Sequence, residues 1–214
     1  MTIILMDVDV QVDFCEPDGS LYVQGSPNEL YRRIVASATE RKLPILGSVD
    51  SHAFDAWEFA SNKTPAPSGP KPNFPDHCVK GTTGWLKVRG TLPARFRFVP
   101  NQKGADTARL AVELSAGEVQ GLYFEKEVYS LFANPNAESF LRAFVGNTSV
   151  TFAVFGVATD YCVKAAALGL RERGYAVAVL TDAIRAITPD GERVALGEMA
   201  EAGCALTTAD ALGL

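Results

Sequence analysis

Histidine is almost missing from this chain, which has two, His52 and His77, in 214 residues. Cysteine is also scarce, with four, at positions 15, 78, 162 and 204. A chain of this length needs no staples to hold a core, so the four are read as reduced thiols and not as two disulfides. No apolar run approaches the ~20 residues that cross a bilayer, which excludes a membrane helix. The opening MTIILMDVD lacks the positive n-region and small-residue cleavage site of a signal peptide, so the cytoplasm is the expected compartment. An excess of positive charge is missing too: 25 acidic residues against 20 basic ones leave a net charge of −5, and nucleic acid is excluded as a partner. Neither G-x-G-x-x-G nor G-x-x-x-x-G-K-[ST] occurs, which argues against a nucleotide-binding role. There is no internal repeat and no low-complexity tract.

What is present is the composition of a chain that buries a substantial core, 47% hydrophobic, and one domain over residues 1–214 is expected. Short β-branched runs alternate with helix-like segments. Strands are placed at Ile3 to Val8, Ile45 to Val49, Gly121 to Phe124, Val150 to Phe155, Ala176 to Leu180 and Ala205 to Thr207. Asn28 is expected to cap a helix reaching about Arg41, with Leu30, Ile34 and Ala38 on one stripe. Asp160 is expected to cap another running to Arg173 and ended by Gly174. Further helices fall near Asn136 to Phe144 and Gly191 to Ala202. The segment from Gly81 to Val119 is less legible, with a short strand at Arg95 to Val99 and a helix near Thr107 to Leu114. This order gives an α/β fold: a doubly wound, mostly parallel six-stranded sheet with helices on both faces, in three layers. Ligands of such sheets bind beyond the carboxyl ends of the strands. Asp9, Asp50, Lys126 and Cys162 each follow a strand there.

Ser61 to Asp76 holds five prolines (65, 67, 70, 72 and 75) and reads as a long surface loop that delivers His77. Asp50 and His52 are two apart at a strand end, so both side chains point the same way. His77 lies 25 residues on (77 − 52), and the loop can return it to them. Glu58, in DAWEFA, offers a further carboxylate. Imidazole with carboxylate suits one divalent ion, zinc first, with iron or manganese as alternatives. The alternative for these residues is a strand-end turn and a hydrogen-bonded loop histidine. Cys78 adjoins His77 in an extended segment and so points away from it, as buried filler.

The segment FAVFGVATDYCVKAAALGL reads as a buried strand, a tight turn at Gly156 and a helix beginning near Asp160. Cys162 then lies in the first helical turn, where free amides and the helix dipole lower a thiol's pKa and can hold an oxyanion. A cysteine that merely packs the helix onto the sheet is the competing reading. Asp9 is placed to accept the thiol proton and pass it to a leaving group, with Asp7 and Asp13 competing for the role. Lys126 either pairs with Asp9 or is a surface lysine balanced by Glu125 and Glu127, and spacing alone favours the surface. Cys15 and Cys204 have no acid or base arranged around them and are read as structural.

With these residues assembled, the chain resembles the isochorismatase-like cysteine hydrolases, and among them the nicotinamidases or pyrazinamidases. The resemblance runs through DVQVDF, the D-x-H and PDHCV-K-G-T segments, F-x-K-x-x-Y-S-x-F around Lys126, and GVATDYCV. It implies a catalytic triad of Asp9, Lys126 and Cys162, a thioester intermediate, an oxyanion hole from the amides of Ala158 and Cys162, and a cis peptide between Val157 and Ala158. It also implies a metal site of Asp50, His52, Glu58 and His77, with the ion near a pyridine nitrogen. Glu58 stands where the family carries a third histidine or, in some members, a glutamate. Phe74 stands where tryptophan is usual, and is expected to stack on a heteroaromatic ring. Phe14, Leu21 and Tyr129 are further candidates for the pocket wall. The expected activity is hydrolysis of nicotinamide, with pyrazinamide, to the acid and ammonia. One alternative is a family amidohydrolase acting on another small amide. A second is a non-catalytic binding protein that retains the fold. The small amide is the expected partner, and a homo-oligomer is compatible with the sequence.

Overall fold

A computed structural model of the chain describes residues 2–66 and 70–214. The elements are β1 (Thr2–Val8), α1 (Val12–Cys15), α2 (Asn28–Glu40), β2 (Ile45–Asp50), β3 (Phe96–Val99), α3 (Thr107–Ser115), β4 (Gly121–Lys126), α4 (Ala137–Val145), β5 (Val150–Val157), α5 (Lys164–Glu172), β6 (Ala176–Arg185), α6 (Pro189–Glu201) and β7 (Ala205–Thr207). The strands form one parallel sheet in the order β3-β4-β2-β1-β5-β6-β7. There are seven strands and not the expected six. The one added to the sheet is β3, the short strand read at Arg95 to Val99 but not counted among the six, an edge strand of four residues that is partly exposed and so lacks the continuous apolar run of its neighbours.

The order of strands dictates where the helices go. Parallel crossovers are right-handed, so connections that move one way along the sheet cover one face and those that move the other way cover the opposite face. The path β1 to β2 to β3 runs toward one edge, and its residues Phe14, Tyr31, Ile34, Val35, Cys78 and Val88 build one core. Every later step runs toward the other edge, and α3 to α6 supply Leu114, Phe140, Leu170 and Met199 to the second core. The two directions diverge beside β1, which opens a crevice at the carboxyl ends of β1, β2, β4 and β5. At that edge β1 and β5 approach closely: Gly156 has φ +123°, and a Cβ on it would lie 2.0 Å from the Val8 carbonyl.

Two expected caps are corrected. Asn28 is the first helical residue of α2 and its side chain instead donates to the Cys15 carbonyl at 2.9 Å. The buried stripe of α2 is Tyr31, Ile34, Val35 and Ala38, with Leu30 at its margin. Asp160 does not cap its own helix, because the chain after β5 makes a π-turn over Thr159–Val163 whose N-cap is Ala158. Its carboxylate accepts from the amides of Ile187 and Thr188 at 3.1 and 3.3 Å, and so ties that turn to the start of α6. Part of the Pro-rich loop, Pro67 included, lies outside the described residues. On its described parts Phe59 and Phe74 form a bridge that returns the chain to His77. Among the described residues no helix is long and apolar enough to cross a membrane.

Candidate active site

Four strand ends converge on one buried cluster. Asp9 follows β1 with φ +49°, a left-handed conformation that aspartate tolerates better than most residues. Lys126, the last residue of β4, is fully buried, and its Nζ lies 2.8 Å from Asp9 Oδ2 and 2.9 Å from Asp50 Oδ1. The same ammonium donates to Cys162 Sγ at 3.5 Å. The Asp9 carboxylate is also near enough to the thiol to push its pKa up. Spacing favoured a surface lysine, yet Glu125 pairs outward with Lys80 at 2.7 Å and leaves Lys126 to turn into the crevice.

Burial pushes the Lys126 ammonium down, but Asp50 and Asp9 outweigh it and hold it well above its ordinary value. Burial likewise pushes the Asp50 carboxyl up, and the Lys126 charge overcomes it, aided by the neighbouring His52 and His77 imidazoles, so the group sits well below the usual range. The expectation of a lowered thiol pKa is corrected: burial pushes Cys162 well above its ordinary value, Lys126 opposes this, and Asp9 and Asp50 add to it. Cys162 lies in a π-turn, and its neighbouring carboxylates and lost hydration outweigh the dipole. The raised pKa makes the resting group the thiol.

Asp50 is shared. Its Oδ1 faces Lys126, while Oδ2 lies 3.1 Å from His52 Nε2 and 3.5 Å from His77 Nε2. Glu58 Oε1 is 2.8 Å from His52 Nε2 and 3.5 Å from His77 Nε2. The ligand atoms of Asp50, His52, Glu58 and His77 all fall within 4.8 Å of one another, and all four residues are buried. The donor set fits a divalent ion on two further observations. His52 Nε2 is buried with no aligned hydrogen-bond partner. His77 Nδ1 is 2.8 Å from the Pro75 carbonyl, so the ring presents its Nε2 to the cluster. Burial pushes the His52 imidazole down, but the carboxylates of Asp50 and Glu58 lift it to about 9, so this pocket attracts a cation of some kind. Cys78 is fully buried at φ +47° and is absent from the group.

A cavity of about 410 Å³, counted with its open mouth, joins the two clusters. Its enclosed part is small, about 30 Å³. Asp50, Glu58, His77, Ala158 and Cys162 lie along it, and Phe14, Leu21, Phe74 and Tyr129 all line its wall. The reading of the sequence missed Tyr161, Val128 and Ile187, which line it too. Phe74 meets Tyr161 edge-on at 6.0 Å, and Tyr129 meets Tyr161 at 5.1 Å, which makes an aromatic rim. A larger depression at the ends of α2 and α3 is lined by no cysteine.

Two other aspartates competed with Asp9. Asp7 pairs with Lys87 at 2.6 Å inside the core. Asp13 accepts from the Cys78 amide at 2.7 Å and the Ser20 amide at 3.1 Å, which pins the segment that carries His77. Gly84 is required there, since a Cβ would fall 2.0 Å from the Asp13 carboxylate. Gln11 was passed over. Its buried carboxamide donates to the Asp50 carbonyl at 2.9 Å and accepts from the Asp50 amide at 2.7 Å. An amide side chain between valines, two residues beyond Asp9, was the signal. The Val157–Ala158 peptide is cis.

The isochorismatase domain pattern matches residues 2–211. The chain belongs to the isochorismatase family. This family member is 28% identical to a nicotinamidase of Escherichia coli strain K12 over 220 residues, covering 95% of this chain and 93% of that one. It is 30% identical to a nicotinamidase/pyrazinamidase of Mycobacterium tuberculosis strain H37Rv over 205 residues, covering 94% and 96%. Its fold is similar to that of a pyrazinamidase of Pyrococcus horikoshii in complex with zinc, at a TM-score of 0.71 and 26% identity, covering 97% of this chain and 99% of that one.

Proposed function

We propose that this isochorismatase-family protein is a nicotinamidase: a cysteine-dependent amidohydrolase that converts nicotinamide, and pyrazinamide, to the acid and ammonia. The observation that carries the reading is the Cys162 thiol held between Asp9 and Lys126 on a cavity that also borders the Asp50, His52, Glu58 and His77 cluster. The names of the relatives from E. coli and M. tuberculosis support the substrate. Residues 1–214 act as one domain, a reading supported by the family match from 2 to 211 and by a single sheet. The four thiols are free, in keeping with a reducing cytoplasm.

Asp9 takes the Cys162 proton as the sulfur attacks the carboxamide carbon, so thiolate forms on demand rather than waiting in the resting site. The S–C bond forms, and the carbonyl π pair moves to oxygen, which the amides of Ala158 and Cys162 receive. Each donor of such a hole contributes about 3–4 kcal/mol in hydrolases where it has been removed. Asp9 returns its proton to nitrogen, the C–N bond breaks and ammonia departs. Water, giving a proton to the same carboxylate, then adds to the thioester carbonyl, and the acid leaves as the S–C bond breaks and the thiol regains its proton. Lys126 balances the charge of Asp9 and Asp50 through this sequence. A divalent ion on Asp50, His52, Glu58 and His77, zinc first and iron or manganese next, would supply a Lewis-acid anchor for a ring nitrogen. Phe74, Tyr129, Phe14 and Leu21 bind the flat ring, Phe74 by stacking on it.

The test is a panel of small amides, nicotinamide and pyrazinamide included, assayed for ammonia before and after chelation, with mass spectrometry of acid-quenched enzyme. Turnover of the heteroaromatic amides and an acyl adduct on Cys162 are expected. Turnover of non-aromatic amides alone would retain the cysteine hydrolase and remove the nicotinamidase. Full activity without an adduct would transfer the chemistry to metal-bound water.

A further inference from the structure

The proton-accepting end of the Cys162 cluster is held by a residue that is neither acid nor nucleophile. Ser48 lies in β2, is 1% exposed, and its Oγ donates to Asp9 Oδ1 at 2.7 Å. The Asp9 amide donates back to the Ser48 carbonyl at 3.2 Å. One residue therefore grips Asp9 by main chain and side chain, at a φ of +49° where β1 has ended. The two oxygens of a carboxylate are rigidly related, so seating Oδ1 on Ser48 decides where Oδ2 goes. Oδ2 lies 2.8 Å from Lys126 Nζ, is buried, and has no aligned hydrogen bond of its own. It is the oxygen left to receive a proton. The terminal torsion of aspartate is broad and two-fold, so without the hydroxyl this carboxylate is free to swing and meet Lys126 with both oxygens.

We propose that Ser48 is a positioning residue for the hydrolysis, which holds Asp9 Oδ1 so that Oδ2 faces the Cys162 thiol. The proposal rests on the cysteine-hydrolase reading above and acts through Asp9, without contact to substrate. It predicts that losing the hydroxyl slows the chemical step and leaves substrate binding alone, since the cavity wall does not include Ser48.

The experiment compares Ser48→Ala and Ser48→Thr with the parent enzyme in three measurements. These are kcat and KM for nicotinamide, the rate at which iodoacetamide modifies Cys162 (followed by peptide mass spectrometry), and the melting temperature. For Ser48→Ala we expect kcat lower by about 10- to 100-fold, a share of the roughly 10²–10⁴ that a positioned general base supplies, with KM within about twofold. Cys162 modification should slow in parallel at an unchanged melting temperature, and Ser48→Thr, which keeps the donor, should recover most of both rates. Parent-like rates in Ser48→Ala overturn the proposal. So does an equal loss in both variants with a lowered melting temperature, which would make Ser48 a packing residue. The alkylation is measured without substrate, so a wrong amide assignment would leave this test intact.

Discussion

Asp7 and Asp9 stand two residues apart on one strand and its exit, both fully buried and each facing a buried lysine. Their surroundings differ in what comes third. Asp7 meets Lys87 at 2.6 Å, and Lys87 lies 5.2 Å over the Tyr123 ring, in a layer closed by Tyr31 and Cys15. Burial pushes the Asp7 carboxyl up while Lys87 pulls it down, and neither residue lines the cavity beside Cys162. Asp9 meets Lys126 at 2.8 Å, but that lysine also holds Asp50 and the Cys162 sulfur, and Cys162 opens on a cavity. A buried ion pair is thus no signature of catalysis by itself. Chemistry requires a third group that can exchange the proton and a space where a substrate can reach it.

That contrast can be broken at either end. Cys162→Ala has the largest expected effect, a loss of at least ~10⁴-fold in ammonia release with little change in melting temperature. Appreciable residual turnover would return Cys162 to a structural role. Asp7→Ala should do the reverse: it strands the Lys87 charge, at a cost of about 3–5 kcal/mol in urea denaturation, with kcat per folded molecule near the parent value. Pairing Asp7→Leu with Lys87→Met should recover that stability, and a dead but folded Asp7→Ala enzyme would erase the distinction drawn here.

Metal removal comes next. Chelation should lower stability by about 2.7 kcal/mol relative to protein held at a hundredfold excess of zinc over its Kd. In the metal-free protein His52 is raised from 6.5 to about 9, so its protonation contributes stability in full below about 6.5 and loses it as pH rises through about 9. Zinc must displace that proton, and calorimetry in two buffers near neutral pH should register about one proton released per ion. No release would mean that His52 is already neutral. The smallest effect is expected at the rim, where Phe74→Ala should raise KM for nicotinamide about tenfold, the worth of one aromatic contact, with kcat nearly unchanged. An unchanged KM would remove Phe74 from the ring site.

Much of this was legible along the chain. The six main strands announced themselves as apolar runs because a parallel sheet covered on both faces buries every residue, as β2 and β4 do. The edge strand β3 was faint because Phe96 and Arg97 are exposed there. Spacing alone put Lys126 on the surface, and only the family resemblance placed it in the triad, because its neighbours Glu125 and Glu127 imitate a solvated charge run, while Glu125 spends its charge on Lys80. The state of the Cys162 thiol was misjudged because a helix start was counted without the carboxylates packed against it. Ser48 and Gln11 were invisible for a related reason. Their partners, Asp9 and Asp50, are each 39 positions away in the chain, and a serine or glutamine inside an apolar strand has no local partner to betray it.

Sequence alone determined the alternation of strands and helices, the strand ends on which reactive residues fall, and the pairing of two rare histidines with carboxylates, because each depends on residue type and near spacing. Which aspartate faces the sulfur, whether the lysine is buried, and which proton the thiol keeps were decided by tertiary structure. Those are matters of solvent exclusion and of ångström-scale distances between β1, β2, β4 and β5, and both come into being only when the strands lie side by side.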